Sequence, residues 1–421
     1  MPSYVDILKM DGHQEGGYFS LLYKSANKVM AYNPRYHSEL SHHASTKKVA
    51  ERYAMSSIYF LLEKQGFSSW HRLKSDEVWH YYDGGSPIYI YTIDTHGDLQ
   101  THILGNPAIM ENASLHAVIK AGVWFAAEVK DKLSFGLVGC TVAPAFEYND
   151  FELAESHRDE LIRQYPNFTN IIDRFIKPNL EKIELQNNTQ HFVPSITKSS
   201  AKYYMQKLGL KSYENGGYFA INYQSQDLVV PLHNNKNAIV VDQIQDHSSC
   251  TAGSSMYLLL KSQEVYNWNK PKFDEVLHYY DGSSPATVHV FEQGVLKTKI
   301  LGNPQTTPNA AFQIVIKAGD KFAIEVNNKD SFCLLGCTMS PGVVHKDLML
   351  IDQKQLTSQY PKHTDLIARI NNLSKKPSLV SQIVGYSALA AVVGFSIYSL
   401  FGNKNTTPKL PLEELATTFK P

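Results

Sequence analysis

Within WHRLKSDEVWHYYDGGSP, Trp70 to Pro87, an imidazole, a guanidinium and a carboxyl fall close together as His71, Arg72 and Glu77, followed by Trp79, His80 and Tyr81. An imidazole near a carboxylate is common equipment for moving a proton at neutral pH, with the histidine as acid or base and the glutamate orienting it or accepting from a hydroxyl. Arg72 can meet a carboxylate or phosphate through two parallel hydrogen bonds. Trp79 and Trp124 offer flat apolar faces of the kind on which sugars and nucleobases stack. The plainer reading makes Trp79 and Tyr81 core filling and Arg72 a solvated strand-end charge.

The stretch returns as WNKPKFDEVLHYYDGSSP, Trp268 to Pro285, with 12 of 18 positions identical. The repeat runs further: QEGGYF from Gln14 matches ENGGYF from Glu214, SSIYFLL from Ser56 matches SSMYLLL from Ser254, and LGNP recurs at Leu104 and Leu301. VIKAGVWFAAEV from Val118 matches VIKAGDKFAIEV from Val315, and each copy closes on QYP within an amphipathic stretch. A unit of about 170 residues therefore occurs twice. We expect residues 1–176 as a first, functional domain, 177–198 as a polar linker and 199–373 as a second domain.

Comparing the copies, His13 becomes Tyr213, Glu15 becomes Asn215, His71 becomes Asn269, Arg72 becomes Lys270, Trp79 becomes Leu277 and Trp124 becomes Lys321. The glycines, DEV and HYYDG remain. His13 and Glu15 thereby join the ligand-binding candidates. A scaffold kept while its chemistry is lost marks the second unit as a structural partner, the two units pairing as an intrachain pseudo-dimer. His80/His278 and Glu128/Glu325 persist in both copies, which suits shared structure better than a reactive site.

Short runs rich in β-branched and aromatic residues, YFLL, VWHYY, IYIYTI and WFAAEV, are punctuated by Gly, Pro, Asn and Asp, the pattern of an antiparallel sandwich or barrel. One helix precedes each barrel (4–10 and 201–208) and one follows (158–176 and 355–373). The fold class is mainly β.

His71, Glu77 and Gly84, at intervals of six and seven, resemble the first cupin motif, and IKAG, Ile119 to Gly122, resembles the turn of the second. The order EGGYF, HRLxSDEVWHYYDGG, LG, KAGVWF and GCTVAPAF-x-x-x-DFEL is similar to Cupin_5, an RmlC-like branch long called a domain of unknown function. The resemblance implies two tandem cupin-type jelly-roll barrels, and, through the sugar-nucleotide epimerases that share the barrel, a carbohydrate-like or nucleotide-sugar ligand with isomerase- or epimerase-type chemistry. It also raises the possibility of a divalent metal. Against that, Leu73 and Phe125 stand where the motifs place histidines. His71 and Glu77 are two ligands where a transition metal wants three or four. His80 is the candidate third, yet a regular strand turns it away from the face that carries Glu77. A metal is therefore not favoured, and the first barrel reads as a polar pocket for a small molecule. The alternative is a non-catalytic sensor or scaffold.

Forty basic residues balance 40 acidic ones in 421, so no global field draws the chain to nucleic acid, and no nucleic-acid partner is expected. Four cysteines form no disulfide framework; Cys140 and Cys337 match between repeats and read as core thiols. From Leu379 to Phe401 the chain carries 23 residues without a charge, about 34 Å as a helix, enough to cross a bilayer core. The expectation is a single-pass membrane anchor over 379–401 followed by a short tail, 402–421. Arg369, Lys375 and Lys376 before the segment place both barrels in the cytosol.

Overall fold

In the computed structural model, strands from the two repeats build two barrels with the same topology. The structure describes residues 3–31, 50–94, 96–176, 199–232, 249–326, 328, 330–342 and 349–374. The linker 177–198 and the expected membrane segment 379–401 lie outside them. Among the described residues, no helix is long and apolar enough to cross a membrane.

In the first repeat one sheet runs Asp11–Gly12, Tyr18–Lys24, Ser56–Glu63, Phe135–Ala143, Asp76–Gly84, His116–Ile119. The facing sheet runs Phe151–Leu153, Phe67–Leu73, Trp124–Val129, Ile88–Ile93, Leu99–Leu104. The second repeat reproduces the first order from Lys211–Ser212 to Gln313–Ile316. Each barrel is a jelly roll of antiparallel pairs apart from a short parallel contact, Leu104 with Ser114 in the first repeat, and Ile300 with Ala310 and Leu301 with Ala311 in the second. Its alternating pattern places one set of side chains inside.

Alternation along Asp76–Gly84 divides its side chains between the barrel interior and the other repeat. Glu77, Trp79 and Tyr81 share one face, while Val78, His80 and Tyr82 share the other. The second face packs against the other repeat. There His80 stacks on His278 with ring centroids 3.9 Å apart and 16° between planes, and both imidazoles are fully buried. His80 Nδ1 meets the Tyr280 hydroxyl at 2.7 Å, and His278 Nδ1 meets Tyr82 at 2.7 Å. One apolar cluster draws Tyr59, Leu61 and Leu137 of the first repeat together with Leu258, Leu277 and Leu335 of the second.

The early strands of each repeat reach across to the other barrel. Lys28–Ala31 pairs antiparallel with Leu228–Leu232, Val229 opposite Ala31. Tyr23 donates its hydroxyl to Asp274, which also accepts from Ser25 Oγ at 2.8 Å and Asn27 Nδ2 at 3.1 Å. Reciprocally, Tyr223 donates to Asp76 at 2.8 Å.

Each expected C-terminal helix is two helices. Arg158–Gln164 gives way to Thr169–Arg174, and Gln353–Gln359 to Thr364–Ser374, because Pro166 and Pro361 of the QYP motifs open a 3-10 turn between them. In the first repeat these helices cover the outer face of the five-stranded sheet, burying Trp70 and Trp124 against Leu161, Ile172 and Phe175.

Candidate functional site

The inner end of the first barrel is shaped by two backbone features. In the turn between His13 and Gly17, the His13 N–H donates to the Gly17 carbonyl at 3.0 Å. Gly17 has φ of 71°, and a Cβ there would lie 2.8 Å from the Leu61 carbonyl, so glycine is required. This turn delivers Glu15 into the barrel. Along Phe67–Leu73, Phe125 pairs with His71 but Ala127 pairs with Ser68, a bulge that re-aims His71. Within the bulge the Ser69 carbonyl accepts from His71 Nδ1 at 2.7 Å.

A carbonyl oxygen only accepts, so the His71 proton sits on Nδ1 and Nε2 is an acceptor. Nε2 faces Glu15 Oε2 at 3.3 Å. The same oxygen lies 3.5 Å from His13 Nδ1, and the other Glu15 oxygen accepts from Ser68 Oγ at 3.1 Å. Burial pushes His71 down to about 3 and His13 down to about 4, so both are neutral at pH 7. Glu15 is raised well above the ordinary carboxyl range by burial and by the neighbouring Glu77. The consistent state is a protonated Glu15 that donates to His71 Nε2. Glu77 is raised to about 7 by burial, offset in part by the Trp79 indole and the Cys140 thiol, and its Oε2 has no hydrogen-bond partner.

These groups line a cavity of about 210 Å³. His13, Glu15, His71, Glu77 and Cys140 form its inner part, Phe19, Phe60, Phe146 and Phe151 its walls. Tyr148, 62% exposed, and the ion pair of Lys24 with Glu147, 2.9 Å long, stand at its mouth.

Of the candidates named from sequence, His13, Glu15, His71 and Glu77 converge on this cavity. The others do not. Arg72 is bound to Glu152 through Nε at 3.0 Å and Nη2 at 2.6 Å and lies over the Trp124 ring, on the helix-covered outer face. Trp79 is wedged between Phe60 and Phe125 behind the wall, and Tyr81 donates to the Gly84 carbonyl at 2.9 Å. Trp79 and Tyr81 thus fill the core, whereas Arg72 is neither a cavity residue nor a freely solvated charge but is held by Glu152. His80 cannot join His71 and Glu77 around a metal, because alternation puts it between the barrels. Among the described residues no three His, Cys, Asp or Glu side chains are grouped to hold an ion. With Leu73 and Phe125 at the remaining motif positions, the donor set does not fit a cupin metal centre.

The sequence pattern did not single out Ser68 or the phenylalanine walls, and Cys140, expected as a core thiol, is buried but also lines the cavity. A signal for Ser68 was present: its counterpart in the second repeat is Tyr266. That ring is 1% exposed and fills the second barrel beside Phe322 at 5.7 Å and Tyr213 at 6.0 Å. Asn269 Nδ2 donates to the Tyr266 hydroxyl at 2.8 Å. The amide that replaces His71 is thus the partner of a ring that occupies the space kept open in the first barrel.

The profile of Cupin_5, described as "Cupin superfamily (DUF985)", matches residues 3–154 and again 202–351. The chain belongs to the Cupin_5 family. Among solved structures, this Cupin_5 chain is similar to a hypothetical protein from Leishmania major at 25% identity, covering 41% of this chain and 97% of that one with a TM-score of 0.34. A protein from Shewanella oneidensis is 29% identical over 42% of this chain and 100% of its own, with a TM-score of 0.33. Oxalate decarboxylase from Lactobacillus farciminis aligns at 14% identity over 85% of this chain and 93% of that one, with a TM-score of 0.43. No curated protein matches the chain.

Proposed function

We propose that the first barrel binds a small polar ligand and moves protons on it, in the manner of an isomerase or epimerase, while the second barrel serves as structural partner. One contrast carries this reading: Glu15, His71 and Glu77 surround an open cavity in the first repeat, whereas Tyr266 and Asn269 fill the same place in the second. Glu77, poised near neutrality, takes a proton from the ligand. The Glu15 proton, held toward His71 Nε2, is returned to a ligand oxygen, and His71 keeps its Nδ1 proton on Ser69 throughout. A carbohydrate-like fragment fits within this reading. A nucleotide sugar finds no support, because Arg72 is engaged by Glu152 and neither Trp79 nor Trp124 lines the cavity. The non-catalytic alternative, a sensor or scaffold, is favoured by one observation: both nitrogens of His71 already have partners within the protein.

The test compares H71A with N269A. H71A should abolish binding of whatever small molecule copurifies with the full chain, identified by mass spectrometry after denaturation, and N269A should retain it. Equal losses in both variants would defeat the asymmetric reading. We further propose that residues 379–401 anchor the chain in a membrane with both barrels on the cytosolic side. The uncharged run flanked by lysines supports this. The full chain should resist alkaline carbonate extraction, whereas a chain stopped after Lys376 should be released; equal release rejects the anchor.

A further inference from the structure

The charges around the first cavity are lopsided. Three carboxyls line it, Glu15, Glu77 and Glu147, against one ammonium, Lys24, whose Nζ is 2.9 Å from Glu147. The histidines add no positive charge, since burial keeps both neutral. The nearby cations are turned elsewhere: Arg72 to Glu152, Arg52 and Lys74 to Asp150. An anionic ligand would therefore enter a site whose only lining ammonium is already paired, and would meet two buried carboxyls at the inner end.

Placing two carboxyls in one apolar chamber is itself unfavourable, and each makes ionisation of the other harder. Glu77 keeps a counterpart in the filled barrel, Glu275, so its presence belongs partly to the scaffold. Glu15 does not: the second repeat carries Asn215. The open barrel is thus the one that retains a second carboxyl, and a cation beside Glu77 offsets the cost of ionising that buried group. Glu77 Oε2, on a residue 7% exposed, receives no hydrogen bond from the protein, and neither does Glu275 Oε2 in the filled barrel; only in the first barrel does the lining leave room for a ligand N–H to supply it. The walls add to the case. Phe19, Phe60, Phe146 and Phe151 line the cavity with aromatic surface that accommodates the hydrocarbon of a cation. The charges at the mouth, Lys24 and Glu147, satisfy each other, so the unmet polar demand lies at the inner end and the recognised molecule has one charged head and an apolar body.

From this we infer that the ligand of the first barrel is a small organic ammonium ion, its N–H groups donated to Glu77 and its hydrocarbon packed among the phenylalanines. The inference rests on the proposed ligand-binding role of the same cavity and narrows its ligand class. Size agrees: cavities of roughly 150 Å³ take benzene, and about 210 Å³ suits butylammonium or benzylammonium.

Calorimetry on the full chain, using butylammonium and benzylammonium beside butanol, benzyl alcohol, pentanoate and phenylacetate, tests it. Both ammonium ions should bind at least tenfold more tightly than the matching alcohols, and the carboxylates should not bind. Ammonium affinity should rise as pH is raised from 5.5 toward 7, because Glu77 must release its proton. E77Q should weaken ammonium binding at least tenfold, more than it changes alcohol binding, and flatten that pH dependence. Alcohols or carboxylates binding as tightly as the ammonium ions would overturn the ammonium class and leave the ligand-binding role standing. Silence from all six probes on the wild-type chain would overturn both.

Discussion

His71 Nε2 lies 3.3 Å from Glu15 Oε2, while His71 Nδ1 is fixed on the Ser69 carbonyl at 2.7 Å. The imidazole therefore has one tautomer and one face toward the cavity, and the proton between it and Glu15 resides on the carboxyl. Glu77 is left as the inner group whose charge changes near neutral pH. Both carboxyls are costly to ionise in the fold, with measurable consequences.

Glu77 is protonated in the folded chain up to about pH 7 but ionises near 4.5 when unfolded. Between those values the folded state holds the extra proton, so stability falls as pH rises from about 4.5 to 7. E77Q should remove this loss and exceed the wild type by about 3 kcal/mol at pH 8, with little difference at pH 4. Urea unfolding across that range checks it; a constant difference at all pH values would show that Glu77 ionises normally.

The stacked pair between the barrels has the opposite sign. Burial lowers His278 to about 3, and burial together with the repulsion that a second protonated ring would bring lowers His80 as well. Both stay neutral in the fold, whereas in the unfolded chain they take up protons below about 6.5. Stability from each is complete above 6.5 and is lost as pH falls, roughly 2 kcal/mol per histidine by pH 5. H80N combined with H278N should flatten the acid limb of the stability profile. An unchanged acid limb would mean that the pair does not report on pH.

The fold was largely legible in the sequence, since two matched copies with period-two alternation leave few alternatives to paired jelly rolls. The same alternation correctly turned His80 away from Glu77. It did not show which face of WFAAEV meets the interior, because all six residues of Trp124–Val129 are buried, one side by the barrel and the other by the helices after Arg158. Arg72 and Trp124 were therefore indistinguishable from pocket residues. The bulge at Ser69 and the cavity walls depend on cross-strand register, which spacing along one chain does not encode. The decisive substitution, Ser68 for Tyr266, draws no notice when only chemically reactive side chains are compared.

The filled barrel makes its own demand. Y266S should cost about 3–5 kcal/mol, because a buried ring is lost and the Asn269 amide is left without its acceptor. The denaturant midpoint measures it, and a loss below about 1 kcal/mol would mean that the ring is not packed.

Asp274 accepts from Tyr23, Ser25 and Asn27 of the other repeat and from the Ala318 N–H at 2.8 Å. D274A should destabilise the whole chain by at least about 3 kcal/mol; the fragment 1–176, which lacks Asp274, tests the same dependence from the other side. That fragment exposes Tyr59, Leu61 and Leu137 and should dimerise or aggregate. A stable monomer would show that the repeats do not depend on one another.

The openness of one barrel and the fullness of the other are visible directly in crystals of the chain held under xenon pressure. Xenon enters apolar cavities that have room for it. A xenon peak should appear among Phe60, Phe151 and Cys140 of the first repeat, disappear in S68Y, and be absent beside Tyr213 and Tyr266. Peaks of equal height in both barrels, or a peak that survives S68Y, would contradict a chain with a single ligand-accepting barrel.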